Sequence, residues 1–271
     1  MKSRNKRRLN TTVNEGLSTT IEATGVMVSS TVGTCIAGPI GTLAGSVTGM
    51  VVEKIIRSIK GDFKNRFLSE WELNRINITE AAAKKRIKIN IENGLQFRND
   101  DFFTQDSISD RAPICEISEG TFIAAKNEHE EKKLNYLGNL IGNIPFHQEI
   151  NRDRANYLVR IAERLSYHQL CILAFFDRKS DYFFKPDEIA QDATHPNIKN
   201  MIFREIEELK ILSLLSSKNN YLWGGGPAGN ITPPNVELSE TGKIFHTMMN
   251  LDQIDKSEID RVADILKYFS K

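Results

Sequence analysis

Residues 195–242 read HPNIKNMIFREIEELKILSLLSSKNNYLWGGGPAGNITPPNVELSETG, and this stretch decides the fold. His195-Pro196 turns the chain, and proline suits the first turn of a helix, where its missing N–H is not needed. Ile198, Met201, Ile202, Ile206 and Leu209 then recur at helical spacing and predict a helix that buries these five side chains. Leu212 to Leu215 leaves that helix. Tyr221-Leu222-Trp223 predicts a strand, Gly224-Gly225-Gly226-Pro227 a loop, and Asn235-Val236-Glu237-Leu238 the returning strand. Ser239 caps a helix carrying Ile244, Phe245 and Met248.

Upstream, one helix is expected to carry Tyr157, Leu158, Ile161, Leu165 and then, after Ser166, Leu170, Ile172, Leu173 and Phe176, and Pro186-Asp187-Glu188-Ile189-Ala190 reads as a short helix start. Helix–helix–helix–strand–loop–strand–helix is the order of a winged helix-turn-helix. The step Leu238-Ser239-Glu240-Thr241-Gly242 resembles that of winged-helix regulators. The expected fold is therefore mainly α, with a winged-helix domain over 151–271.

That module is poorly charged for DNA. Its third helix offers Lys199 and Arg204 but also Glu205, Glu207 and Glu208, and the loop between Trp223 and Asn235 has no Lys or Arg. Acidic residues facing a groove repel phosphate, so Lys199, Arg204 and Trp223 are read as contacts to a protein partner.

Residues 61–150 read as a helical coupling region. Val51, Val52, Ile55, Ile56 and Ile59 follow helical spacing, and Phe63, Phe67 and Trp71 continue it. Ala81 to Ile91 is helix-prone and Asn93-Gly94 is a stop signal, whereas 100–113 reads as a loop carrying Phe102-Phe103. A second helix is expected from about Ser118 to Ile141, with Glu128-His129-Glu130-Glu131-Lys132-Lys133 as an exposed, salt-bridged face. That run lacks HExxH spacing, and the remaining histidines are scattered singly, so no metal site is expected.

The segments Glu130-Glu131-Lys132-Lys133-Leu134-Asn135-Tyr136-Leu137-Gly138-Asn139-Leu140 and Leu165-Ser166-Tyr167-His168-Gln169-Leu170 resemble the core of bacterial abortive-infection alpha-type proteins. The resemblance covers about 115–250. It implies a role in phage defence, in which an infected cell is stopped or killed.

Residues 1–60 differ in kind. The whole chain of 271 residues has 36 basic and 35 acidic side chains, but residues 1–60 hold 8 and 3 of them, a net of +5. Thirty residues from Ala23 to Val52 carry no charge, long enough for a membrane-spanning helix. Within them Gly25, Ser29, Gly33, Ala37, Gly41, Gly45 and Gly49 recur at every fourth position, giving one smooth helix face of the kind that packs backbones closely in membranes. Gly38-Pro39 at the midpoint marks a hinge between two short arms. Arg7 and Arg8 on one side, and Lys54, Arg57 and Lys60 on the other, suit anionic lipid.

The run supports two readings: a glycine-zipper hairpin that inserts conditionally into the inner membrane as a homo-oligomer, or a hairpin packed within a soluble bundle. Six Gly and eight Ser or Thr among the thirty make insertion near neutral instead of strongly favourable.

No phosphate-binding loop, GxGxxG or GxSxG is present, and three distant cysteines (Cys35, Cys115, Cys171) without a CxxC suit neither a disulfide framework nor a zinc knuckle. The sequence thus predicts a cytoplasmic protein that is not an enzyme, with no catalytic residues and no cofactor. The expected function is an abortive-infection effector recruited to the membrane. The alternatives are a winged-helix DNA-binding regulator with a basic arm and a soluble interaction scaffold.

Overall fold

A computed structural model describes residues 68–104, 111–184, 196–217 and 233–270, with positions 54, 56, 57, 60 and 61 before them. These residues are mainly helical and form eight α-helices and four three-residue strands. Ser69 starts α1 (Glu70–Glu92) with a reciprocal capping box: its hydroxyl accepts the Glu72 N–H while the Glu72 carboxylate accepts its own. Asn93-Gly94 ends the helix as expected, with Gly94 at φ +80°, a conformation that favours glycine.

Where one helix was expected over Ser118–Ile141, there are two, α2 (Pro113–Asn127) and α3 (Leu134–Asn143). Glu128 leaves the helix with an extended backbone, and its carboxylate accepts the N–H of Glu130. The Glu128–Lys133 run is solvated only in part: His129, Glu131 and Lys132 are exposed, but its two ends are not. Glu128 is 7% exposed and Lys133 2%, and the two form a buried ion pair.

Trp71 also departs from expectation. The capping box starts the helix at Glu70, and Phe63 and Phe67 lie outside the described residues. The core face of α1 is Ile76, Ala83, Ile87 and Asn90, and Trp71 points away from it, 70% exposed.

The one helix expected over Tyr157–Phe176 is also two: Asn151 caps α4 (Arg152–Arg164), and a second capping box, Ser166 with Gln169, opens α5 (Tyr167–Asp177). The chain continues through β1 (Tyr182–Phe184), α6 (Pro196–Ile211), β2 (Leu215–Ser217), β3 (Val236–Leu238), α7 (Glu240–Met249), α8 (Lys256–Ile265) and β4 (Tyr268–Ser270). In α6, Ile202, Ile206 and Leu209 are buried, while Met201 is 52% exposed. One residue is 100° of helix, so Met201 lies to the side of the Ile202–Ile206–Leu209 stripe.

The strand leaving α6 is Leu215–Ser217, and it pairs antiparallel with the expected returning strand, Leu215 opposite Leu238. Tyr221–Trp223 and the 186–190 helix start lie outside the described residues. Strand β1 instead pairs antiparallel with β4 near the C-terminus, Tyr182 opposite Ser270. Buried side chains form one contiguous cluster from Ile56 to Tyr268 that runs across position 150.

Candidate functional site

The densest polar cluster lies where the turn before α3 meets α5, α6 and α8. It is built from the two segments that carry the family resemblance. The Glu130 carboxylate accepts the N–H of Tyr167 at 2.9 Å and so satisfies one of the unpaired donors at the start of α5. Lys132 pairs with Glu258 of α8 and sits 5.0 Å from the centre of the Tyr167 ring, a cation–π distance. Lys133 Nζ, besides its pair with Glu128, donates to the Glu163 carbonyl at the end of α4. Glu130, Lys132 and Lys133 are thus spent on contacts between helices.

From the same end of α5, His168 Nδ1 lies 2.6 Å from Glu205 Oε2, and Gln169 Nε2 donates to Glu208 Oε2 at 2.8 Å. Both acceptors are on α6. The Glu205 hydrogen bond raises the His168 pKa, burial opposes it, and Glu130 and Glu258 add smaller upward pulls. Behind this pair, the rings of Tyr136 and Tyr167 lie 6.1 Å apart. Burial pushes Tyr136 up to about 12 and the Cys171 thiol up to about 11. Such a thiol stays protonated at neutral pH, so it packs as a small apolar group and is no nucleophile in this state. Chemically the cluster can lock α5 to α6 and α8 with charge.

This geometry revises the charge reading of α6. Glu205 and Glu208 bond to α5, and Glu207 pairs with Lys210 at 3.3 Å. Among the side chains of α6 that are described, the exposed ones are Asn200, Met201, Arg204, Glu208 and Ile211, with Ile211 75% exposed.

A small-residue seam is present inside the body. Gly138 and Gly142, four residues apart on α3, lie directly against α1: a Cβ on Gly142 would meet Arg86 Cβ at 2.7 Å and the Ala83 carbonyl at 2.9 Å. On its other side α3 projects Asn139 and Asn143 at α7. Asn143 Nδ2 donates to the Thr247 and Met248 carbonyls, and Asn139 Nδ2 to that of Met249. These are the last carbonyls of α7, of which that of Thr247 also accepts the N–H of the capping residue Asn250. The Asn143 amide oxygen accepts from Arg86 Nε at 2.7 Å and from Asn90 Nδ2 at 2.9 Å, tying in α1. GxxxG spacing and two asparagines four residues apart were visible in Leu134–Asn143; their partners were not.

Of the residues read as functional, the structure brings no set together into one site. Gly25, Ser29, Gly33, Ala37, Gly38, Pro39, Gly41, Gly45, Gly49, Arg7, Arg8 and Trp223 lie outside the described residues. Lys199 falls within α6, its side chain outside the described part. Arg204 and Arg57 are exposed, Lys54 is half-buried, and Lys60 pairs with the buried Glu80 of α1. Among the described residues, no helix is long and apolar enough to cross a membrane, and no group of three or more metal-ligating side chains gathers. Comparison with protein-family models, with curated proteins and with solved structures finds no match to this chain.

Proposed function

We propose that this chain is an anti-phage effector of the abortive-infection type, in which a helical body governs a membrane-active N-terminal segment. The observation that carries the reading is the charge-free run 23–52, with seven small residues at four-residue spacing and basic clusters on both sides. In the resting state the protein is cytoplasmic. A trigger recognised by the C-terminal half releases the segment, and several copies insert together into the inner membrane.

The C-terminal half is read as a winged helix, with α6 in the recognition position and the β2–β3 hairpin as the wing. The exposed Met201, Arg204 and Ile211 on α6 support its use as a contact for a protein partner or a second copy. The test is dye leakage from anionic liposomes, and toxicity in cells, with Gly41, Gly45 and Gly49 changed together to Leu. Both should fall sharply, and unchanged leakage sinks the zipper. Membrane fractionation with and without phage challenge reads the conditional step.

A second reading, an interaction scaffold whose hairpin packs in a soluble bundle, is favoured by the α1–α3 seam. There Gly138 and Gly142 use the same spacing for packing within the body. Fractionation in the soluble pool under phage challenge, with no leakage, would select it. The DNA-binding alternative draws only on Arg204 and the basic arm. A gel shift that weakens steeply with salt would be its signature.

A further inference from the structure

Helix α7 carries a histidine where its pattern calls for an apolar side chain. Phe245, Met248 and Met249 are buried, and His246 shares their side of the helix, with Gly242 four residues before it and Met249 three after. His246 is 8% exposed, and its Nε2 has no hydrogen-bond partner among the described residues. A buried polar atom left in this way is costly and calls for an explanation. Asp177, the last residue of α5, places Oδ2 3.7 Å from that nitrogen, just beyond hydrogen-bond range.

The charges that act on the ring are Asp177 and Arg178 of α5 and Asp252 in the turn after α7. Arg178 also donates to the Asp252 carbonyl, and Arg86 of α1 also feels Asp252. From α3 the groups that reach this end of α7 are the amides of Asn139 and Asn143. Glu237 of β3 bears instead on Lys243, which pairs with Glu240 at the exposed start of α7. Burial holds the His246 pKa below its ordinary value; Asp177 and Asp252 pull it back up, and Arg178 adds to the lowering.

We infer that His246 is a proton-operated latch between α5 and α7: on taking a proton, its Nε2 becomes a charged donor to the Asp177 carboxylate and draws the last turn of α7 towards the end of α5. Such a contact closes to about 2.7–2.9 Å, so the two groups approach by about 1 Å. The same turn carries the Thr247 and Met248 carbonyls that accept from Asn143 Nδ2, and the His246 carbonyl accepts the Asn250 N–H. Closing the latch therefore acts on the bonds that hold α7 to α3. The device answers acidification and is independent of the membrane reading.

NMR titration of the full-length protein reads both ends of the device. The His246 ring protons should titrate below about 6.5, and the Asn143 side-chain amide should shift with the same midpoint. Asp177→Asn removes the charged acceptor and should move the His246 midpoint to lower pH and abolish the Asn143 response. Asp252→Asn removes a carboxylate outside the latch and should lower the midpoint while the Asn143 response persists. Both positions are exposed, so both variants should keep the fold. A His246 midpoint at or above about 6.5 overturns the latch, as does an Asn143 amide that does not follow His246. An unchanged midpoint in Asp177→Asn, or an Asn143 response equally lost in both variants, overturns it too.

Discussion

Gly138 lies so close to Thr79 that a Cβ built on it would sit 2.4 Å from the Thr79 carbonyl oxygen. That oxygen belongs to the backbone of α1, so the contact cannot be relieved by a rotamer change. The side chain of Thr79 meanwhile donates to the Leu134 carbonyl, crossing the same interface in the opposite direction.

Gly138→Ala should therefore destabilise the body although alanine is the better helix former by about 1 kcal/mol. Overpacking against backbone costs about 1–3 kcal/mol, and α1 and α3 must separate to admit the methyl group. Urea denaturation followed by circular dichroism measures the loss. A stability equal to or above that of the parent would show that the two helices are not held at this distance.

Lys133 and Glu128 make a pair with almost no solvent. Lys133→Ala leaves a buried carboxylate without its partner and should cost about 3–5 kcal/mol. Replacing both, as Lys133→Met with Glu128→Gln, should recover much of that loss. A double-mutant cycle read by thermal or urea unfolding gives the coupling, and strict additivity would mean the pair contributes nothing specific.

Glu205 holds the His168 pKa above its ordinary value, with Glu130 and Glu258 adding to it. A raised folded-state pKa contributes stability that is fully present below the unfolded value of about 6.5 and is lost as pH rises through the folded value. Glu205→Gln should lower the His168 pKa, measured by NMR titration of its ring protons. The stability advantage of the parent over this variant should be largest at pH 6 and shrink towards pH 8. A pH-independent difference would place the effect in packing instead of charge.

How far the sequence could be read depended on the range of the interaction. Ser239 and Asn93-Gly94 were legible because a cap is local: donor and acceptor lie within four residues. The Ile202–Ile206–Leu209 stripe was legible because one face of one helix repeats. The break at Glu128 was not, since its partners are Lys133 and, through Glu130, the start of α5, and a charge run reads the same whether solvated or buried. Trp71 was misread because periodicity was carried across Ser69, where the cap starts the helix. Pairing of β1 with β4 joins residues 84 positions apart (268 − 184), which no local pattern encodes. The candidate junction was quoted in the sequence as a resemblance, but its chemistry emerged only when α3, α5, α6 and α8 met.

Nine of the ten residues of α3 are buried, glycines against α1 on one side and asparagines under the end of α7 on the other. A helix enclosed in this way acts as an axle shared by both halves of the body. If the chain were divided after Ile150, the amide nitrogens of Asn139 and Asn143 would lose their acceptors on α7, and the Met248 and Met249 carbonyls would lose these donors. A shift of α7 therefore cannot be confined to the C-terminal half: it pulls on Asn143, and through it on Arg86 and Asn90 of α1.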